Sequence, residues 1–117
     1  MSKKTINYVL EGQYKDKEIY HFSKNNFIEI IGGSSIKKER VVSYTILDEN
    51  SKDSSEYSFW KGALGVALFG GIGAVAGIGG KNKSSKEYLI SIEWKSGEKS
   101  LILLDEKYYK VFIASMF

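Results

Sequence analysis

The sequence predicts an α+β fold of mostly β character: a small antiparallel curved sheet, or partly open barrel, with a C-terminal amphipathic helix. Three observations carry that expectation. Apolar residues alternate at period two in runs near both ends of the chain, the mark of half-buried strands. Aromatic residues make up 14% of the 117 positions, with eight Tyr against six Phe and two Trp, a composition that suits a pleated sheet. After the last strand-like run, Tyr109, Phe112, Ile113 and Met116 recur at three- and four-residue spacing, the helical period. A Gly-rich apolar stretch at 62–80, read as a hairpin or a helix, is inserted within what reads as one domain, 1–117.

The elements follow in order. From Thr5 to Tyr14, Ile6, Tyr8 and Leu10 alternate with Asn7, Val9 and Glu11, which predicts a first strand with the former three on its apolar face. Asp16-Lys17 makes a turn, and Glu18 to Phe22 is a short aromatic strand. Ser23 to Asn26 turns the chain again, because Asn tolerates the left-handed conformation of tight hairpins. Phe27 to Ile31 is a third strand, stopped by Gly32-Gly33. The run Ile36 to Leu47, rich in Val, Ile, Thr and Tyr, predicts one long strand or two with a bend near Lys38. Asp48 to Glu56 is polar throughout and is expected to be a surface loop.

Beyond the Gly-rich stretch, Tyr88, Ile90, Ile92 and Trp94 face one way and Leu89, Ser91, Glu93 and Lys95 the other. Ser96-Gly97-Glu98 turns the chain into a partner strand, Ser100 to Leu104, so the pair is a hairpin. Asp105 is placed as the N-cap of the closing helix: its carboxylate can accept from the open amides of the first turn, and Glu106 suits the positive helix end. That helix is expected to cover the domain's own sheet.

Composition narrows the function. The chain has no cysteine and a single histidine, which excludes disulfides, thiolate chemistry and the common Cys- or His-pair zinc sites. Seventeen Lys+Arg against fourteen Asp+Glu give a net charge of +3, and Arg40 is the only arginine. Base-specific and phosphate-specific recognition leans on arginine forks, so a sequence-specific nucleic-acid partner is not expected. The Lys-rich surface serves solubility, or attraction to an anionic membrane or acidic protein face. The N-terminal stretch has a basic tip but no sustained apolar run, so it does not read as a secretory signal. The expected compartment is the cytoplasm, including the cytoplasmic face of the membrane.

The stretch Gly62 to Gly80 holds nineteen residues with no charge and no side-chain hydrogen-bonding group; eight are Gly and four are Ala. Its bulky members Leu64, Leu68, Phe69, Ile72, Val75 and Ile78, with Trp60 ahead of them, are the candidate membrane or partner contacts. Ala63, Ala67 and Gly71 form one row of small residues and Gly73 and Gly77 a GxxxG pair, spacings that let helices approach closely. Lys61 on one side and Lys81, Lys83 and Lys86 on the other supply the electrostatics. A helix of that length spans about 28 Å at 1.5 Å per residue, near a bilayer's hydrocarbon thickness. The glycines argue against a plain span, and Gly70-Gly71 near the middle would let the chain reverse. A single span would also split the domain across the membrane. Three readings stand: packing on the domain or on another copy, a re-entrant membrane hairpin, or docking into a groove on another protein. All share the requirement that so apolar a stretch be covered.

Other constellations are weaker. Gly71-Ile72-Gly73-Ala74-Val75-Ala76 matches GxGxxA, with Glu93 some twenty residues on. A polar KNKSSK run and antiparallel hairpin signals follow it, where a dinucleotide site needs a helix crossing to a parallel strand. His21 lies beside Ile19 on a strand, with no GxSxG serine or second histidine to work with. Asp48-Glu49 and Asp53 do not have EF-hand spacing. Lys37, Lys38 and Arg40 are the densest basic cluster outside the apolar flanks. On a strand Lys38 and Arg40 would share one face, to meet an anionic patch or to protect an edge.

The last third, KEYLISIEWKSGEKSLILLDEKYYKVFIASMF, with the Gly/Ala-rich stretch ahead of its hairpin, resembles small bacterial and phage proteins of the pleckstrin-homology-like, including GRAM-like, type. The resemblance implies a curved sheet with a closing helix. The family's phosphoinositide binders carry a basic signature in the first hairpin loop; here that turn offers Lys15 and Lys17 without an arginine, so no lipid site is carried over.

The expected function is therefore a non-catalytic binding or adaptor module that acts through 62–80 at a membrane surface or protein interface, as a homo-oligomer in one version. The alternative is a soluble inhibitor of a cytoplasmic host enzyme, of the kind phages and mobile elements encode. No convergent polar site for an enzyme assembles from these residues, and no cofactor or metal is expected.

Overall fold

Two facing sheets and two helices make up the computed structural model of the protein, which describes residues 6–47, 53–64 and 87–117. The strands are β1 (Tyr8–Gly12), β2 (Ile19–Tyr20), β3 (Ile28–Ile30), β4 (Ser35–Ile36), β5 (Val41–Leu47), β6 (Glu87–Trp94) and β7 (Lys99–Asp105). The helices are α1 (Ser55–Leu64) and α2 (Glu106–Ser115). One sheet has the order β1-β7-β6-β5 and the other β2-β3-β4, and every pairing is antiparallel. They meet at a corner where Tyr8 and Glu18 form an isolated bridge, flanked by the bonds Val9 N–H to Lys17 O and Ile19 N–H to Asn7 O, both 2.9 Å. The sheets do not close into a barrel. α2 packs on β3, β6 and β7, and its Ser115 hydroxyl reaches the Ile36 carbonyl of β4.

The inner core lies between the sheets and α2. Ile19, Ile28, Ile30 and Ile36 of the small sheet meet Ile90, Ile92, Trp94, Ile102 and Leu104 of the large one, with Phe112 of α2 among them. A second cluster covers the opposite face of the large sheet, where Tyr57 and Trp60 of α1 join Leu47, Leu89, Leu101 and Leu103. β7 is thus buried on both faces, which is why Leu101 to Leu104 reads as an unbroken apolar run. The assignment of faces in β6 and the β6–β7 hairpin agree with the sequence expectation, as does the Asp105 cap, whose Oδ1 accepts from Tyr108 N–H at 2.9 Å.

Two expectations are corrected, and a third resolves to one of its two alternatives. In the first strand Val9 is fully buried in the inner core, while Ile6, Tyr8 and Leu10 are half-buried on the α1 side. Alternation named one apolar face because it could not show that both are covered. The run from Ile36 to Leu47 takes the two-strand alternative: it breaks at a turn closed by Arg40 N–H to Lys37 O at 2.9 Å, and its two halves belong to different sheets. The polar loop ends early, because Ser54 caps α1 through its hydroxyl, 3.1 Å from Tyr57 N–H. Residues 62–64 therefore complete α1, and the rest of the Gly-rich stretch lies outside the described residues.

Gly12 is required where β1 leaves the sheet. Its φ is +87°, and a Cβ there would collide with the Lys99 carbonyl and the Trp60 ring. Only glycine adopts that backbone at no steric cost.

Candidate functional site

α1 is held by one polar chain as well as by its apolar face. Ser91, 2% exposed on β6, accepts from Trp60 Nε1–H at 2.8 Å and donates to Glu56 Oε1 at 2.9 Å. Glu56 in turn pairs with Lys99 at 3.3 Å, and the Lys99 ammonium lies 4.5 Å from the centre of the Phe59 ring. Trp60 is consequently 2% exposed, its indole packed on the sheet. This corrects its grouping with the membrane or partner contacts: burial and a satisfied N–H make it the anchor of α1 instead.

The opposite side of α1 faces outward. Phe59 is 46% exposed, Lys61, Gly62 and Ala63 are exposed, and nothing lies within 4 Å of where a Gly62 Cβ would be. Phe59 and Ala63 form one wall of an open depression of 640 Å³, across from Gly12, Gln13 and the Gly97–Lys99 turn. The last turn of α1 therefore has Lys61, Gly62 and Ala63 on its open side, and the chain runs from there into the Gly-rich stretch. Leu64 is the last residue of α1. Leu68, Phe69, Ile72, Val75 and Ile78, the small residues Ala67, Gly71, Gly73 and Gly77, and Lys81, Lys83 and Lys86 lie outside the described residues, as do the GxGxxA match and Asp48-Glu49.

Of the remaining candidates, Lys37, Lys38 and His21 have structural employment. Lys37, Lys38 and Arg40 sit at the turn between β4 and β5, so the strand geometry expected for them does not hold. Lys37 lies 4.6 Å from the centre of the Phe27 ring, and Lys38 donates to the Phe117 carbonyl at 2.9 Å. His21 closes its own loop: Nε2 is 2.8 Å from the Asn25 carbonyl, a bond that needs the Nε2–H tautomer, and Tyr108 OH accepts from the His21 amide at 3.3 Å. Asp53 is exposed in a turn.

Sequence reasoning missed α1 and its polar chain. The signals were present: Ser54 three residues ahead of Tyr57, then Tyr57, Trp60 and Leu64 at helical spacing. Burial raises the pKa of three groups above ordinary values: Tyr8, helped by the charge of Asp16; Glu87; and Tyr109, helped by Tyr88 and Tyr44. Tyr88 and Tyr109 stack at 3.8 Å between centroids. Among the described residues no group of three or more His, Asp or Glu is placed to hold a metal, every buried side-chain polar atom has a partner, and no helix is long and apolar enough to cross a membrane. No family model, curated protein or solved structure matches the chain significantly.

Proposed function

We propose that the chain is a pleckstrin-homology-like, non-catalytic binding module whose contact element is the Gly-rich stretch 62–80, acting at a membrane surface with assistance from the flanking lysines. The observation that carries the reading is the arrangement of α1. Tyr57 and Trp60 are buried on the sheet, while Gly62 and Ala63, the first residues of the stretch, are exposed. A domain that needed the stretch for its own core would be expected to turn its first residues inward. Support for the family likeness comes from the strand order, two antiparallel sheets joined at the β1–β2 corner, with a closing C-terminal helix. The mechanism is hydrophobic insertion strengthened by lysine attraction to anionic headgroups.

The test is sedimentation of the full-length protein with anionic and neutral vesicles, beside fractionation of cells that express it. Binding to anionic vesicles, weakened by salt and by Phe69→Asp, is the expected result. Protein that stays in the supernatant under all these conditions overturns the membrane role and shifts the contact to a protein partner.

A further inference from the structure

Two tyrosine rings lie face to face between β6 and α2. Tyr88, the second residue of β6, is paired with Leu104 of β7, and the chain passes from there through Asp105 straight into α2. The Asp105 cap fixes the first turn of that helix, and Tyr109 meets Tyr88 with 3.8 Å between ring centroids and 4° between ring planes. Aromatic pairs ordinarily settle edge to face or offset, with centroids about 4.5–7 Å apart. Tyr44 and Phe112 do so, at 5.0 Å and 78°. At the closer spacing of the tyrosine pair, the facing ring carbons are in van der Waals contact. After burial, the charge of Tyr88 is the next cause of the raised Tyr109 pKa, so the two phenol oxygens lie near each other. Both rings are half-buried and keep some access to solvent. Trp60 and Trp94, which are also readily oxidised, are only 2% and 4% exposed, and the chain has no cysteine to quench a radical.

We propose that Tyr88 and Tyr109 form an oxidative cross-linking site, joined as dityrosine by a haem peroxidase working on hydrogen peroxide. Each phenol gives up one electron and one proton and becomes a phenoxyl radical. The two radicals pair their electrons in a carbon–carbon bond between ring positions next to the hydroxyls. The hydrogens on those two carbons leave as protons while the two oxygens take protons back. In sum, two tyrosines and one hydrogen peroxide give one dityrosine and two waters. Rings already held in contact couple within the chain, the gain that positioning gives any pair of reacting groups. The new bond ties the start of β6 to α2 and closes a loop through β7, so it restricts the unfolded chain as a disulfide does. The site is separate from 62–80 and does not rest on the proposed function.

Treatment of the dilute full-length protein with a haem peroxidase and hydrogen peroxide tests it, with free tyrosine coupled in parallel as the control. The expected product is a monomer with dityrosine fluorescence and a mass lower by two hydrogen atoms. Its tryptic digest should hold peptides 87–95 and 108–110 joined together. Tyr88→Phe and Tyr109→Phe keep the stacked rings but should each cut the monomer signal about tenfold or more. Tyr108→Phe should leave the signal in place, which assigns the bond to Tyr109. Far-ultraviolet circular dichroism checks that each variant is folded. The joined monomer should unfold at a higher temperature than the untreated protein, and an unchanged midpoint overturns the tie between β6 and α2. Dityrosine confined to covalent dimers overturns the proposal, as does a monomer signal that survives Tyr88→Phe. No dityrosine in the protein while free tyrosine couples also overturns it.

Discussion

Two tryptophans and two serines show how single residues divide the labour in this chain. Trp94 Nε1–H donates to Ser100 at 2.7 Å on the inner face, and Ser100 passes a bond to the Gln13 carbonyl at 2.6 Å. Trp60 does the same with Ser91 and Glu56 on the outer face. Each serine lets a large ring be buried without stranding its N–H. Such a hydroxyl, small and period-two like any polar strand residue, gives no sign in sequence that it points into an interior. Ser91→Ala leaves the buried indole N–H without its acceptor and is expected to cost about 1–3 kcal/mol. Adding Trp60→Phe removes the orphaned donor, so the double variant should lose less than the two single losses together. Chemical denaturation of the four proteins checks this: simple additivity would mean that the Trp60–Ser91 bond does not hold α1.

At the scale of the element, legibility tracked how many local signals agreed. α2 had a cap, an acidic first turn and an apolar period pointing the same way, and the structure keeps all three. β6 and β7 had clean alternation or an unbroken apolar run with a Gly-containing turn between them; Gly97 there has φ +96°. α1 lacked such agreement, because its polar first turn merges with the loop ahead and its end merges with the Gly-rich stretch. β4 and β5 left one long strand or two open, since a turn built from Lys37 to Arg40 carries neither Gly nor Pro. The start of β6 bears a pH prediction. Burial holds the Glu87 carboxyl above its ordinary 4.5, so the folded state binds more protons than the unfolded state between the two values. Stability therefore falls as pH rises through that interval and stays lower above it. Glu87→Gln removes the ionisation, and it should unfold at a higher temperature than the parent near pH 7, with the gain fading below about pH 4.5. A gain that persists unchanged in acid would assign the effect to something other than the carboxylate.

For the molecule as a whole, two apolar clusters on opposite faces of the large sheet hold the described residues together. The inner core is built from strands and α2, and the outer cluster from strands and α1. The stretch with the densest run of apolar residues lies, beyond Leu64, outside the described residues. The sequence could mark 62–80 as needing cover but held nothing to say what supplies it, because composition records that burial is needed and leaves its location open. The exposed end of α1 bears on that question, and stability can decide it. If 62–80 contacts something outside the domain, Phe69→Asp and Ile72→Asp behave as surface changes in the isolated protein. Each should then alter stability by no more than about 0.5 kcal/mol, a shift of about 2–4 °C in the unfolding midpoint, while vesicle binding is lost. If the stretch instead packs on its own domain, an unpaired carboxylate is driven into an apolar contact. The same variants then lose several kcal/mol, roughly what an unpaired buried charge costs, and the midpoint falls by tens of degrees or the protein fails to fold. Calorimetry on the parent and the two variants separates these cases, because binding lost at constant stability is an outcome that a core segment cannot produce.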